Sequence, residues 1–249
     1  MLTNPVFIAG AGVFSAIGNN GQQHLHALES GTAGMGGMTY LDSLHKHRLP
    51  VAEVKMSNEE LAALTGLPAH ISRTALLSSV AAKEALLQSG MDDIQPCRTG
   101  FISANTVGGM DKTENFFVDF LKDNSKGRLR NVVHHECGAA TEITANHLGI
   151  KNYVSTISTA CSSSANAIFL GARLIRQNIL DVVVAGGADA LTKFTLNGFN
   201  TLMILDQQYF QVFFLGEIAL VLKQVVLLLV EVLFFPIRLS NLQLYFRRW

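Results

Sequence analysis

Charge is scarce and evenly split in this sequence: of 249 residues, 19 are Lys or Arg and 19 are Asp or Glu, leaving a net charge of zero at pH 7. No overall field therefore draws the chain to nucleic acid or to an anionic membrane surface, and any partner must be recognised by a local site. Cysteine is scarce as well. Cys97, Cys137 and Cys161 are an odd number without C-x-x-C spacing, which excludes a disulfide scaffold and points to a reducing compartment, with the cytoplasm as the default. The start, Met1-Leu2-Thr3-Asn4-Pro5, lacks the basic residues and apolar core of an export signal. No internal repeat of solenoid period is present.

Up to about residue 208, short apolar runs alternate with helical patterns, the signature of α/β layering. Residues 6–9 read as a buried strand running into Gly10-Ala11-Gly12. Residues 20–30 read as a helix closed by Gly31, since glycine best tolerates the left-handed conformation after a helix end. Residues 32–66 are expected to be rich in loop. Ser72 caps a helix running to about Ser89, with Leu76, Leu77, Val80, Ala81, Ala85 and Leu87 on its apolar face and Gly90 as its stop. Residues 100–104 form a strand followed by Asn105-Thr106-Val107-Gly108-Gly109, whose glycines allow the close backbone approach found at an active-site wall. Residues 111–122 carry Phe116, Phe117, Phe120 and Leu121 at helical spacing, a pattern more typical of core or subunit contact than of an acyl-binding box. Helices over 138–148 and 162–177 and strands over 153–157 and 181–185, the last ending in Gly186-Gly187, complete the reading.

The composition changes abruptly after Tyr209. Of the last 40 residues 27 are apolar and one is glycine, whereas the preceding 209 contain 20 glycines. The chain therefore divides into a domain over residues 1–209 and a divergent apolar tail over 210–249, a break expected of a disrupted reading frame. Residues 212–235 are long enough to cross a bilayer. Glu217, Lys223 and Glu231 interrupt them, and each charge near a bilayer centre costs roughly 2.5–3.5 kcal/mol. Aggregation is a better expectation than a membrane span.

The chemistry concentrates where a strand gives way at once to a helix, in Tyr153-Val-Ser-Thr-Ile-Ser-Thr-Ala160-Cys161-Ser162-Ser163-Ser164-Ala165-Asn166. A thiol at such a junction faces unpaired backbone N–H groups and the positive end of the helix dipole, both of which favour thiolate. Small neighbours leave room for a long thioester arm to reach the sulfur. Most free cysteines are simply small buried hydrophobes, and Cys97 and Cys137 keep that reading. Cys161 is the candidate nucleophile.

At these residues the sequence resembles the β-ketoacyl-[acyl-carrier-protein] synthase family, whose nucleophile motif Thr-Ala-Cys-Ser-Ser matches Thr159-Ala160-Cys161-Ser162-Ser163 without a change. The resemblance extends to Phe7-Ile8-Ala9-Gly10-Ala11-Gly12, to the helix ending at Gly90, to Val107-Gly108-Gly109, and to Val183-Val184-Ala185-Gly186-Gly187-Ala188-Asp189-Ala190. It implies the N-terminal half of a thiolase-like α/β fold, layered around a mixed sheet. It also implies that Cys161 accepts an acyl group from a carrier protein or coenzyme A. A carbanion from decarboxylated malonyl-carrier protein then attacks the acyl-enzyme, in fatty-acid or polyketide synthesis. Substrates arrive on the phosphopantetheine of acyl carrier protein, and no further cofactor or metal is expected. A homodimer is implied, with the strand near residues 153–157 pairing across the two-fold axis. Lys122, Lys126, Arg128 and Arg130 form the one basic cluster that could meet an acidic carrier protein.

The family's two histidines and lysine for malonyl decarboxylation lie in its second half. The eight histidines here, His24, His26, His45, His47, His70, His134, His135 and His147, all precede Cys161 and match none of those motifs. The chain is thus expected to accept an acyl group but not to condense it. Adjacent His134 and His135 point opposite ways in an extended segment, and no Cys/His cluster completes a metal site around them. Three rivals stand beside this reading. A dinucleotide-binding module would use Gly10-Ala11-Gly12, but Ser15 stands where its third glycine belongs. A non-catalytic partner such as a chain-length factor would have replaced the nucleophile that Cys161 retains. Another thiolase-like acyltransferase would act on coenzyme A esters.

Overall fold

The computed structural model describes residues 5–91, 93–203, 205 and 229–230. Its centre is β1 (Thr99–Ala104), all six residues of which are buried. β2 (Tyr153–Ile157) lies on one side of it and β3 (Val182–Ala188) on the other, and the pair Leu229–Val230, β4, extends the β3 edge, giving the order β2-β1-β3-β4. All three pairings are parallel. The mixed character expected of the sheet is absent among the described strands, where antiparallel contact is limited to the isolated bridges Ser15–Gly18 and Gly36–Val51.

Alternation of side chains along the strands builds three layers. Phe101 and Val184 face one way, joining Ala82 of α3 (Arg73–Gln88) and Ala145 of α5 (Cys137–His147). Ile102, Ala104, Val183 and Ala185 face the other way and pack on Ala167, Leu170 and Leu174 of α6 (Ser163–Arg176). A central sheet covered on both faces explains the near-continuous apolar run Val182-Val183-Val184-Ala185.

The helix read from Ser72 forms as expected, with the Ser72 hydroxyl accepting from the Ala75 N–H. It is buried almost all round rather than on one stripe. Thr74, Ser78 and Ser79 are inside with the alanines, Thr74 donating to the Gly108 carbonyl and Ser79 to Thr144. Leu87, placed on the apolar face by its spacing, is exposed. The loop expected over 32–66 contains α2 (Asn58–Thr65), announced by a capping box in which Ser57 and Glu60 satisfy each other's backbone and closed by Gly66 in the left-handed conformation at φ 82°. α1 (Gly21–Glu29) falls on the helix read over 20–30 and starts on the Asn20 side chain.

The strand expected over 6–9 does not form. Phe7 and Ile8 are 81% and 64% exposed, and the segment finds its partners on α3: the Ala11 N–H donates to Gln88 and the Val13 N–H to Glu84. Gly10 and Gly12 lie directly on that helix. A Cβ on Gly12 would stand 2.0 Å from the Ala81 carbonyl oxygen, and one on Gly10 2.3 Å from that of Ala85. These glycines serve helix packing and hold no room for a pyrophosphate, which removes the structural basis of the dinucleotide reading. The apolar tail and its membrane question fall outside the described residues, apart from the backbone of Leu229–Val230.

The opening end of the sheet is tied by charge. Arg98 donates through Nη2 to Asp181 Oδ1 at 2.6 Å and through its backbone N–H to Oδ2 at 2.8 Å, joining β1 to β3 where both begin.

Two measurements test this arrangement. Gly12→Ala should cost about 2–3 kcal/mol in urea unfolding, as overpacking against backbone does. Gly36→Ala, whose Cβ would meet nothing within 4 Å, should stay within about 0.5 kcal/mol. The Arg98 side-chain hydrogen bond, helped by its backbone N–H, pulls the Asp181 carboxyl down to about 2 from the ordinary 3.8. A lowered carboxyl stabilises the fold fully above its ordinary value and loses that contribution as pH falls through about 2. Circular dichroism on acidification from pH 4 to 2 should therefore show a shallower loss in Asp181→Asn than in the wild type.

Candidate active site around Cys161

The parallel register brings three strand ends to one level. Ala104 of β1 faces both Ile157 of β2 and Gly187 of β3, and the chain leaves all three on the same side. This is the edge at which open parallel sheets bind ligands. From β2 the chain passes through Ser158 and Thr159 into a 3₁₀ turn, Ala160–Ser162, and only then into α6. The expected strand-to-helix junction thus carries an added tight turn, and Cys161 is its middle residue.

Side-chain hydroxyls hold that turn. Ser163 Oγ accepts from the Thr159 N–H and donates to the Ala160 carbonyl, both at 2.7 Å. Ser162 Oγ donates to the Thr159 carbonyl at 2.8 Å, and Asn166 Nδ2 donates to Thr159 Oγ1 at 2.8 Å from one turn into the helix. The serines after the cysteine therefore do more than leave space: they define the bend. Ala160 sits at φ 53°, a left-handed conformation that costs a non-glycine residue roughly 1–3 kcal/mol and persists only where surrounding bonds impose it.

Cys161 itself is exposed to solvent. No acceptor among the described residues takes its backbone N–H, which leaves that donor free beside the sulfur. The approach is narrow behind the turn, where a Cβ on Gly187 would stand 2.3 Å from Ser164 Oγ and 2.8 Å from the Ala104 carbonyl. Only glycine lets β3 pass so close beneath the start of α6.

Several residues that sequence reasoning left aside stand next to this turn. Asn105, almost wholly buried, donates its backbone N–H to the Ile157 carbonyl at 3.2 Å and its side-chain amide to the Cys137 carbonyl at 3.0 Å. Cys137, which its spacing gave no special setting, opens α5 close to Ser158. Burial, with the negative charge of Asp189 added, pushes its thiol above the ordinary range despite the helix start. Asp189 follows β3 and accepts from the Thr106 and Val107 backbone N–H groups and the Thr106 hydroxyl. Cys97 lies at the far end of the sheet, just before β1.

His135 hydrogen-bonds Thr113 through Nδ1, and the His134 and His135 carbonyls press on Gly109 and Gly108. Both residues thereby secure the turn after β1. Among the described residues no group of three His, Cys, Asp or Glu side chains is arranged to hold a metal ion.

The strain at Ala160 is directly testable. Ala160→Gly should leave the urea midpoint unchanged or higher, whereas Ala160→Val, β-branched in a left-handed position, should cost about 2 kcal/mol.

Comparison with known proteins bears on the family and the fold. The sequence pattern of the family described as "Beta-ketoacyl synthase, N-terminal domain" matches residues 3–213. Nodulation protein E of Rhizobium meliloti is 30% identical over 122 residues, 48% of this chain and 30% of that protein. The tetracenomycin polyketide synthase ketoacyl synthase alpha subunit of Streptomyces glaucescens is 32% identical over 134 residues, 47% of this chain and 30% of that one. Among solved structures, the ishigamide ketosynthase/chain length factor superposes with a TM-score of 0.74 at 22% identity, covering 81% of this chain and 51% of that one; the likeness establishes the thiolase-like fold. The matches span less than two thirds of each of these relatives. With the pattern running across most of the sequence and the layered α/β fold in agreement, the chain belongs to the β-ketoacyl synthase family, of which it carries the N-terminal domain.

Proposed function

We propose that this chain performs the acyl-accepting half-reaction of a β-ketoacyl synthase, with Cys161 as nucleophile. The observation that carries the reading is an exposed thiol on a hydroxyl-bound turn at the carboxyl edge of a parallel sheet, with the cysteine's own N–H taken by no acceptor among the described residues. The thiolate attacks the carbonyl carbon of a thioester, the free N–H donates to the oxygen as charge gathers there, and the carrier's sulfur leaves and takes up a proton. One such donor is worth roughly 3 kcal/mol in the transition state. The thioester would be carried on the phosphopantetheine of an acyl carrier protein. Lys122, Lys126, Arg128 and Arg130 are all exposed on the α4 (Met110–Lys122) end and the loop beyond it, which supports a docking role for that face, although Lys126 also pairs with Asp123 at 3.5 Å.

Extension by malonyl thioester needs groups that polarise the malonyl carbonyl as carbon dioxide leaves. The resemblance assigns these to histidines of a region beyond the matched stretch, and none of the eight histidines here takes part in the Cys161 turn. The chain is thus an acyl acceptor in fatty-acid or polyketide synthesis and is condensation-deficient by itself. A homodimer would form through β2, which is the edge of the sheet among the described strands and exposes Val154. The cytoplasm suits three unpaired cysteines, and no described helix is long and apolar enough to cross a membrane.

A second reading, a non-catalytic chain-length-factor-like partner, draws on the ishigamide ketosynthase/chain length factor structure. The retained Cys161 favours the synthase. Incubation with acyl-carrier protein followed by intact mass measurement decides between them. The expected result is one acyl increment that is lost in Cys161→Ala and declines with added salt, and no ketoester after malonyl-carrier protein is supplied. No increment in the wild type, or one that survives Cys161→Ala, overturns the proposal; ketoester formation overturns its second clause.

A further inference from the structure

The carboxylate of Asp189 uses both oxygens on one short segment. Oδ1 accepts from the Thr106 N–H at 2.9 Å and the Val107 N–H at 2.9 Å, while Oδ2 accepts from the Thr106 hydroxyl at 2.8 Å and again from the Thr106 N–H at 3.1 Å. Nothing in the acyl-transfer chemistry calls for this residue, and it lies across the sheet from the β2 turn that bears the sulfur. The side chain comes off the end of β3 and binds the turn that follows β1, so it bridges two adjacent strands at the same edge from which the Cys161 turn rises.

The bound segment leads onward. Next to Thr106 is Asn105, three of whose polar groups are engaged: the backbone N–H with the Ile157 carbonyl at 3.2 Å, the side-chain amide with the Cys137 carbonyl at 3.0 Å, and the side-chain oxygen with the Gly108 N–H at 3.2 Å. Ile157 is the last residue of β2, and Cys137 opens α5. The first connection therefore ends at the root of the turn Ser158-Thr159-Ala160-Cys161, and the second ties that root's neighbour α5 to the same segment.

We infer that Asp189 is a positioning residue for Cys161, acting through Thr106 and Asn105 to hold the root of the nucleophile turn. This rests on the acyl-acceptor reading for its purpose, but the mechanical link stands on the hydrogen bonds alone. Partial burial of the carboxylate is offset by charge-assisted bonds from three donor groups. Loss of those bonds frees the 105–107 turn. The strain carried by Ala160 at φ 53° is then no longer opposed from below. Acyl transfer suffers more than simple thiol chemistry, because it requires the sulfur and the Cys161 N–H in fixed relation to one carbonyl, whereas a small alkylating reagent needs only an exposed thiolate.

The experiment compares wild type, Asp189→Ala, Asp189→Asn and Thr106→Val by two readouts on the intact chain. The first is amide hydrogen exchange. Asp189→Ala should accelerate exchange about tenfold in both 105–108 and 158–162 while leaving 99–104 protected, with Asp189→Asn, which keeps one acceptor oxygen, in between. Faster exchange confined to 105–108 overturns the inference. The second is the ratio of acyl loading to iodoacetamide alkylation at Cys161. It should fall about tenfold in Asp189→Ala and a few fold in Thr106→Val. Equal losses in both reactions mark a general loss of structure and overturn the positioning role. If Asp189→Ala does not fold, Thr106→Val, which removes one bond and no charge, decides by the same criteria. If the wild type takes no acyl group, the proposed function fails and exchange at 158–162 alone decides the link.

Discussion

The parallel alignment of three strand ends is the constraint on which the rest of this molecule depends. β1 is covered on both faces, so its register with β2 and β3 cannot slip by one residue without turning Phe101 out of the α3–α5 layer and Ile102 out of the α6 layer. Fixing the register fixes the level at which the strands stop. Ala104, Ile157 and Gly187 then share one edge, and each hands over to a turn that contacts its neighbour. The position of Cys161 is a consequence of core packing several residues away, transmitted through backbone that has no freedom to drift.

Small residues make that edge possible. Gly187 passes under Ser164 at a distance that no Cβ permits, and Gly171 in α6 rests on Val183 and Ala185, where a Cβ would stand 3.0 Å from the Val183 side chain. On the other face α3 presents Ala75, Ala81 and Ala82, all fully buried, which lets it carry Gly10 and Gly12 on its far side. Close approach gathers many weak contacts at little conformational cost. It also leaves few apolar anchors near the edge, so hydroxyls and carboxylates carry the fine geometry there: Ser163 across the turn, Asn105 between two strands, Asp189 over a third.

What the sequence disclosed follows from the range of the forces involved. Capping residues and glycine stops act over three or four positions, so α1 was legible to within a residue or two from the Gly31 stop and α3 from Ser72 and Gly90, while α6 followed from its helical pattern. The Ser57–Glu60 box carried the same kind of signal for α2 and was passed over because loop-like residues surround it. Residues 6–9 have the composition of a strand, yet strand formation needs a neighbour, and no local pattern reveals whether one is present. The links from Asp189 to Thr106 and from Asn105 to Ile157 span 83 and 52 positions. They are created by topology and leave no trace in spacing. Cys137 illustrates the same limit, since its place beside Ser158 is set by α5 crossing the end of β2.

Nucleophile and base are separable demands on a thioester-transfer site. A thiol needs exposure, a nearby donor for the developing oxyanion and a backbone that holds the two together, and these come from one turn and the strand ends beneath it. Proton handling and carbanion stabilisation need imidazole or ammonium groups facing that turn from another direction. The described histidines are elsewhere: His24 is buried against Ser15, lowered in its proton affinity by that burial, and His135 is bound to Thr113. The carboxylate closest to the turn through hydrogen bonds, Asp189, has its proton affinity raised by burial and both oxygens occupied by backbone and hydroxyl donors. A group so fully engaged cannot shuttle protons without giving up the bonds that hold the turn after β1, so its chemistry is spent on geometry.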